Sequence, residues 1–334
     1  MGKSAILLVG GFGTRLAPLT ELTPKPMLSV AGIPFTEHQI VKAREAGIIE
    51  IVLATSYLAE VFEPYFGNGE RFGIKISYAV EEKALGTGGA ILNASKSLTG
   101  DGPVFIFNGD VLSSHDLQAQ LALHQAGNAD ATLHLTEVAD ARAFGVVEMD
   151  GHRILTFNEK MENPPTNVIN AGCYIFNRSI FERIPEGRVV SIERETFPDL
   201  LADGASVSGY LDSSYWLDIG TPGALLAATR DLISGQAQST AFDELLETGS
   251  YHRLDGSLIS GTASVSQEAQ IRNGSLISHG AEIGAGAIIE GSVIGTDTRI
   301  GAKSQLANTF VAANSEIPAG FIAAGQFFGF SRKK

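Results

Sequence analysis

Up to about residue 103, short apolar runs alternate with segments of helical period, the pattern of βαβ units wound around a mostly parallel sheet. Strands are predicted over residues 5–9, 49–54, 74–80 and 104–107, with helices over 36–46, 58–66 and 89–98 between them. In the first helix Ile40, Ala43 and Ala46 share one face and Gly47 is the stop. From residue 129 to 214 further strands enter the pattern, at 131–138, 145–149 and 171–176, separated by helical stretches at 178–184 and 191–202. No Pro/Gly/Ser-rich linker interrupts them, so they read as the same sheet carrying a substrate-binding insertion. Thr221-Pro222 then starts a helix over 223–233.

Beyond residues 235–240 the texture changes. Aliphatic residues recur every six positions at Ile259, Val265, Ile271, Ile277, Ile283 and Ile289, slip by one to Ile294, Ile300 and Leu306, and slip again to Val311 and Ile317. Such a period, with small and polar residues between, predicts a left-handed hexapeptide-repeat β-helix of roughly three coils. The expected fold is therefore α/β: a Rossmann-like, mostly parallel mixed sheet flanked by helices, followed by a short β-helix. The expected division is a catalytic domain at 1–234, a linker at 235–257 and the β-helix at 258–334.

Composition adds limits. With 24 Lys and Arg against 37 Asp and Glu the net charge is −13, which argues against nucleic-acid or anionic-membrane partners and requires any phosphate ligand to be held by local positive charge. The single cysteine, Cys173, excludes an internal disulfide framework and suits a reducing compartment. No tripartite leader and no apolar run of membrane-spanning length is visible, so a cytoplasmic protein is expected.

The candidate chemistry begins where the first strand empties into Gly10-Gly11-Phe12-Gly13-Thr14-Arg15, closed by Pro24-Lys25-Pro26. Glycines let backbone N–H groups approach anionic oxygens, Arg15 offers a planar fork, and two prolines present Lys25 from a stiff backbone. The loop lacks the third glycine of a dinucleotide fingerprint and the Gly-Lys-Ser/Thr end of a P-loop. Asp110 and Asp218 each follow a strand beside or one residue short of glycine; such residues serve as caps or turns, and as a pair they suit Mg²⁺ held mostly by water and phosphates. Glu81, Gly86 and Thr87 open a helix, where they form an N-terminus or read the edge of a base. Glu159, Lys160 and Asn170 are polar groups fit for sugar hydroxyls and a second phosphate. The seven histidines show no zinc or triad spacing, Cys173 reads as a core residue, and His279 lies within the repeat.

As a set these motifs resemble the sugar nucleotidyltransferases. The resemblance rests on Gly10 to Leu16 with Pro24 to Met27, on Leu85-Gly86-Thr87-Gly88-Gly89, Phe107-Asn108-Gly109-Asp110, Phe157-Asn158-Glu159-Lys160, Asn170 to Tyr174 and Trp216 to Pro222. Val9 and Ala84 stand where alanine and proline are usual in the family, and neither change removes a charge. The resemblance implies in-line attack of a sugar 1-phosphate on the α-phosphorus of a nucleoside triphosphate, with Mg²⁺ as cofactor and GTP with mannose 1-phosphate as the expected pair. Arg15, Lys25, Asp110 and Asp218 are then the catalytic residues, Asp110 and Asp218 also the metal ligands. Gly10, Gly11, Gly13, Thr14, Arg15, Lys25, Glu81, Gly86 and Thr87 would bind the nucleotide, and Gly145, Glu159, Lys160 and Asn170 the sugar phosphate. A homo-oligomer is expected. Alternatives are uridylyl or thymidylyl transfer to glucose 1-phosphate, and a non-catalytic subunit that only binds sugar nucleotides; the intact charged set argues against the latter.

Overall fold

The computed structural model describes residues 2–11, 13–21, 23–55 and 59–330. Phe12 of the glycine loop, Leu58 at the expected helix start and residues 331–334 of the expected β-helix lie outside that set. The chain divides into two compact units: one of residues 1–11, 39–111 and 115–216, the other of 12–38, 112–114 and 217–334.

The first unit is built on a nine-stranded mixed sheet. In chain order its strands are β1 (Lys3–Leu8), β2 (Ile48–Thr55), β3 (Lys75–Val80), β4 (Val104–Asn108), β5 (Ala131–Glu137), β6 (Gly145–Asp150), β7 (Arg153–Glu159), β8 (Val168–Phe176) and β9 (Val207–Leu211). They lie in the order β3-β2-β1-β4-β8-β5-β9-β7-β6. The first four run parallel, as βαβ units require; β8 enters antiparallel to both β4 and β5, and β9 runs parallel to β5. The predicted strands are present within two or three residues, while β7 and β9 are additional.

One face of this sheet is apolar. Ile6, Ile106, Leu133, Tyr174 and Phe176 pack there with Ile91 of helix α3 (Gly86–Ser95) and Phe197 of helix α5 (Phe197–Ala202). Phe197 meets Tyr174 edge to face at 5.0 Å, and a buried aromatic of this kind contributes about 2–3 kcal/mol. The opposite strand positions are partly polar. Thr132 and His134 of β5 are buried with His115, and with Gln120 and His124 of helix α4 (Leu117–Ala126). That helix begins on Asp116, whose carboxylate accepts from the N–H groups of Gln118 and Ala119. The expected helix over 191–202 is a five-residue π turn, Ile192–Thr196, running into α5.

In the second unit the strand Tyr251–Leu254 turns back antiparallel onto Ser257–Ser260, and from there every pairing is parallel. Ile259 stacks on Ile277, Ile277 on Ile294, Ile294 on Val311 and Val311 on Phe328. Each one-residue slip in the sequence is a coil shortened by one residue. The inward stack of Ile259, Ile271, Ile277, Ile283, Ile289, Ile294, Ile300, Leu306, Val311 and Ile317 forms the core, the expected hexapeptide β-helix. It makes one coil more than expected, because its last coil uses Ala323 and Phe328 where the aliphatic pattern has lapsed. A ladder of buried hydroxyls keeps register: Ser257 Oγ accepts from Ser275 N, Ser275 Oγ from Ser292 N, and Ser292 Oγ from Thr309 N, at 3.0–3.2 Å. The segment expected as a linker carries helix α7 (Thr240–Glu247) and the strand Tyr251–Leu254. Helix α6 (Pro222–Ser234) starts on Thr221, whose hydroxyl accepts from Ala224 N. The segment 12–38 is anchored in this unit. The Thr229 hydroxyl accepts from Ala31 N, and buried His38 bridges the Ser239 hydroxyl and the Val30 carbonyl.

Candidate active site

In the second unit the chain after Gly13 is held by local contacts. Gly13 has φ +57, and a Cβ there would lie 2.9 Å from Thr20 Cγ2 and 3.0 Å from Lys25 Cβ, so only glycine fits. The Thr20 hydroxyl donates to the Gly13 carbonyl at 3.0 Å. Thr14 and Arg15 lie in a 3₁₀ turn, Thr14–Leu16, and Lys25 opens another, Lys25–Met27, capped by Pro24. Thr36 donates to the Pro26 carbonyl at 2.8 Å and holds that second turn. Arg15 reaches across to Asp218, with Nη2 to Oδ2 at 3.9 Å, and its guanidinium lies against Gly220. Arg15, Lys25 and Asp218, from residues two hundred apart in sequence, thus share one unit.

The other expected residues belong to the first unit. Gly10 and Gly11 leave β1 exposed, Gly11 with φ +132. Asp110 sits in the turn after β4, and Gly109 before it presses so closely on the Leu8 carbonyl that a Cβ would come within 2.0 Å of the oxygen. Asn108 Oδ1, two residues before Asp110, is buried with no hydrogen-bond partner among the described residues. A carboxylate and, two residues earlier in the chain, an amide oxygen without a partner among the described residues are hard oxygen donors of the kind that suits a hydrated hard cation. Among the described residues no group of three His, Cys, Asp or Glu side chains could hold a metal ion. Mg²⁺ sites that lean on substrate phosphates and water have the same economy of protein ligands.

Glu81 follows β3. Its Oε2 accepts from Leu85 N at 3.3 Å, whereas Oε1 is buried without a partner among the described residues. Burial raises its pKa, and the bond from Leu85 opposes the rise only in part. Gly86 has φ +74 and lies against the Val190 carbonyl, 2.4 Å from where a Cβ would stand, and Gly88 N donates to the same carbonyl. Thr87 has its hydroxyl committed within the protein. Its hydroxyl donates to Glu193 at 2.8 Å and accepts from Ile192 N at 2.9 Å, which fastens the π turn to α3.

Gly145 opens β6 opposite Glu159, and a Cβ there would stand 3.0 Å from Glu159 Oε2. Lys160 has φ +56, its N–H bonds the Phe144 carbonyl, and its ammonium lies 3.7 Å from Glu159. Burial raises the Glu159 pKa, with Glu193 adding to the rise and Lys160 opposing it. Asn170 is largely spent on structure: its Nδ2 donates to the Tyr174 hydroxyl at 2.8 Å and its Oδ1 accepts from Gly172 N, closing an irregularity in β8. Glu193 and Gln39 are not signalled by any motif, because each enters through a partner distant in sequence. His279 is held at Nδ1 by the hydroxyls of Ser260 and Thr262 and packs edge-on to Tyr251, a structural setting within the β-helix.

Residues 4–235 match the family pattern of nucleotidyl transferases, and residues 244–325 match the GlmU-like C-terminal hexapeptide region. The chain is 47% identical over 298 residues to a mannose-1-phosphate guanylyltransferase of Mycobacterium tuberculosis, covering 89% of this chain and 80% of that one. It is 37% identical over 294 residues to mannose-1-phosphate guanylyltransferase 1 of Arabidopsis thaliana, covering 86% and 78%. The crystal structure of HddC from Yersinia pseudotuberculosis complexed with GMP-PN superposes with a TM-score of 0.58 at 27% identity, covering 67% of this chain and 97% of that one.

Proposed function

The chain belongs to the nucleotidyl transferase family, and from that premise we propose that it is a mannose-1-phosphate guanylyltransferase, converting GTP and mannose 1-phosphate to GDP-mannose and pyrophosphate. The family's enzymes generally use a divalent metal, and Mg²⁺ is the ion proposed here. The relatives' printed names support the substrate pair. The single observation that favours guanine is Glu81: a buried carboxylate oxygen with no partner among the described residues suits the adjacent N–H donors on the guanine edge, which adenine and uracil do not offer in that arrangement.

In the proposed reaction an oxygen of the sugar phosphate attacks the α-phosphorus, the α–β bridging P–O bond breaks in line, and pyrophosphate leaves with that bridging oxygen. No side-chain base is required, since a phosphate monoester is largely ionised at neutral pH. What the protein must supply is alignment and neutralisation of two anions. Arg15 would take the charge that grows on pyrophosphate, and Lys25 that on the α-phosphate. Lys160 would hold the sugar phosphate, with Glu159 and the backbone at Gly145 against sugar hydroxyls. Asp110 and Asp218 would hold Mg²⁺, which when bound offsets charge on the phosphate oxygens and orients the triphosphate. We assign this chemistry to residues 1–234 and a scaffold role to the β-helix at 258–334, acting in the cytoplasm as a homo-oligomer on small soluble substrates.

The test is a panel of GTP, ATP, UTP, dTTP and CTP against mannose 1-phosphate and glucose 1-phosphate, with Mg²⁺, read as pyrophosphate release. GTP with mannose 1-phosphate should rank first; a uridylyl or thymidylyl preference would overturn the substrate pair.

A further inference from the structure

Gln39 lies in helix α1 (Phe35–Glu45) and is 7% exposed. Its side-chain Nε2 donates to the carbonyl of Asn108 at 2.7 Å and to that of Val111 at 3.3 Å. These two carbonyls bracket Gly109 and Asp110, so one amide group closes both ends of the turn that carries the carboxylate. Both of its hydrogens are spent in doing so, and Oε1 is left buried without a partner among the described residues. A bare buried oxygen is costly, because nothing replaces the water it has lost. The reversed amide would set that oxygen against two carbonyl oxygens, which is worse. The side chain is therefore held for its donors, at a cost a packing residue would not bear.

The same turn is braced from two other directions. Gly109 is pressed on the Leu8 carbonyl. The Asn108 side chain lies against Gly172, its Nδ2 2.9 Å from where a Cβ would be. Val111, on the far side of the turn, starts the short strand Val111–Ser113. Gln39 ties that strand start to the end of β4 across the turn. Precise presentation of a ligand by the groups behind it is worth as much to a metal site as the ligand's identity.

We propose that Gln39 is a positioning residue for Asp110, clamping the carbonyls on either side of the turn so that the carboxylate is offered to the divalent cation in one fixed arrangement. The inference rests on Asp110 being a metal ligand. It predicts that Gln39→Met, similar in length but without donors, weakens binding of Mn²⁺·GTP by about tenfold, while binding of GTP in excess EDTA is unchanged.

Both affinities can be read without turnover on the full chain, the first from the enhancement of water-proton relaxation by bound Mn²⁺ and the second by calorimetry. Gln39→Glu is the companion variant. As a carboxylate it repels both carbonyls, and as a protonated acid it can donate to one, so its deficit should be larger at pH 8 than at pH 6. Asp110→Asn serves as the reference and should lose Mn²⁺·GTP enhancement. Unchanged Mn²⁺·GTP affinity in Gln39→Met beside a defective Asp110→Asn overturns the role of Gln39 alone. Equal losses with and without metal would make Gln39 merely structural and also overturn it. An unaffected Asp110→Asn removes the metal assignment and this inference with it.

Discussion

Arg15 Nη2 stands 3.9 Å from Asp218 Oδ2, and the approach depends on Gly220, where a Cβ would lie 2.8 Å from the same nitrogen. The Arg15 side chain is 67% exposed, so an ion pair this long and this wet contributes at most about 1 kcal/mol to folding. The arginine is thus held near a carboxylate without being needed for stability. Arg15→Ala should lower kcat by about a hundredfold, about 2.7 kcal/mol of transition-state stabilisation, with the thermal midpoint within a few degrees of wild type. Pyrophosphate release and a melting curve on the same preparation check both halves. Arg15→Lys should recover only part of the rate, because a point charge cannot replace the fork.

The proposed base contact of Glu81 would make GTP binding depend on pH. Its carboxyl pKa is raised by burial, and the protonated acid offers one acceptor fewer to guanine. As pH falls through that raised value, KM for GTP should climb, and above it KM should be flat. Glu81→Gln should show neither limb, and its kcat/KM for GTP should be lower by about tenfold or more, as for a lost polar contact to a buried group. A pH profile of KM for GTP in the two proteins decides the matter; a Glu81→Gln protein that keeps wild-type GTP preference would sink the guanine contact.

The polar face of the first unit's sheet predicts acid sensitivity. His134 has both ring nitrogens buried without partners among the described residues and stacks on His115 at 3.6 Å. Burial lowers its pKa to about 3, Lys42 adding to the fall, and the His115 pKa is lowered for the same two reasons. Both rings stay neutral in the fold but take a proton near pH 6.5 when unfolded. The unfolded state therefore binds more protons between the folded and unfolded values, so stability is complete above about pH 6.5 and declines as pH drops below it. Each such histidine adds about 1.4 kcal/mol per pH unit to the decline. His134→Phe should flatten the slope by about that amount, measured as urea unfolding free energy from pH 7.5 to 5. An unchanged slope would show that His134 is charged in the fold.

That same face explains what the sequence concealed. Helix α4 carries buried Gln120 and His124 where an apolar stripe would announce a helix, so its periodicity does not stand out. The π turn at Ile192–Thr196 looked like ordinary helix because Ser191 caps it as it would an α-helix. In the β-helix the opposite holds: each coil buries aliphatic residues at fixed intervals, so the fold is written in the spacing until Ala323 and Phe328 break the pattern. Arg15, Lys25, Asp110 and Asp218 are legible as candidates because glycine and proline mark the turns around them. Gln39 is not, since its partners are backbone carbonyls some seventy residues away, and backbone groups leave no mark in a sequence.

Thr87 separates a residue that touches nucleotide from one that builds the wall behind it. Its hydroxyl is committed to Glu193 and to Ile192 N, so Thr87→Val strands the Ile192 N–H and leaves the half-buried Glu193 Oε2 with the Ser191 hydroxyl alone. That should cost about 1–3 kcal/mol of stability, read as a lower urea midpoint with an unchanged slope. Because the π turn and α3 both loosen, activity should fall by a similar factor with GTP and with the poorest nucleotide of the panel. The ratio of the two kcat/KM values should therefore stay within about twofold of wild type. A fall confined to GTP, with normal stability, would instead return Thr87 to the base-binding set.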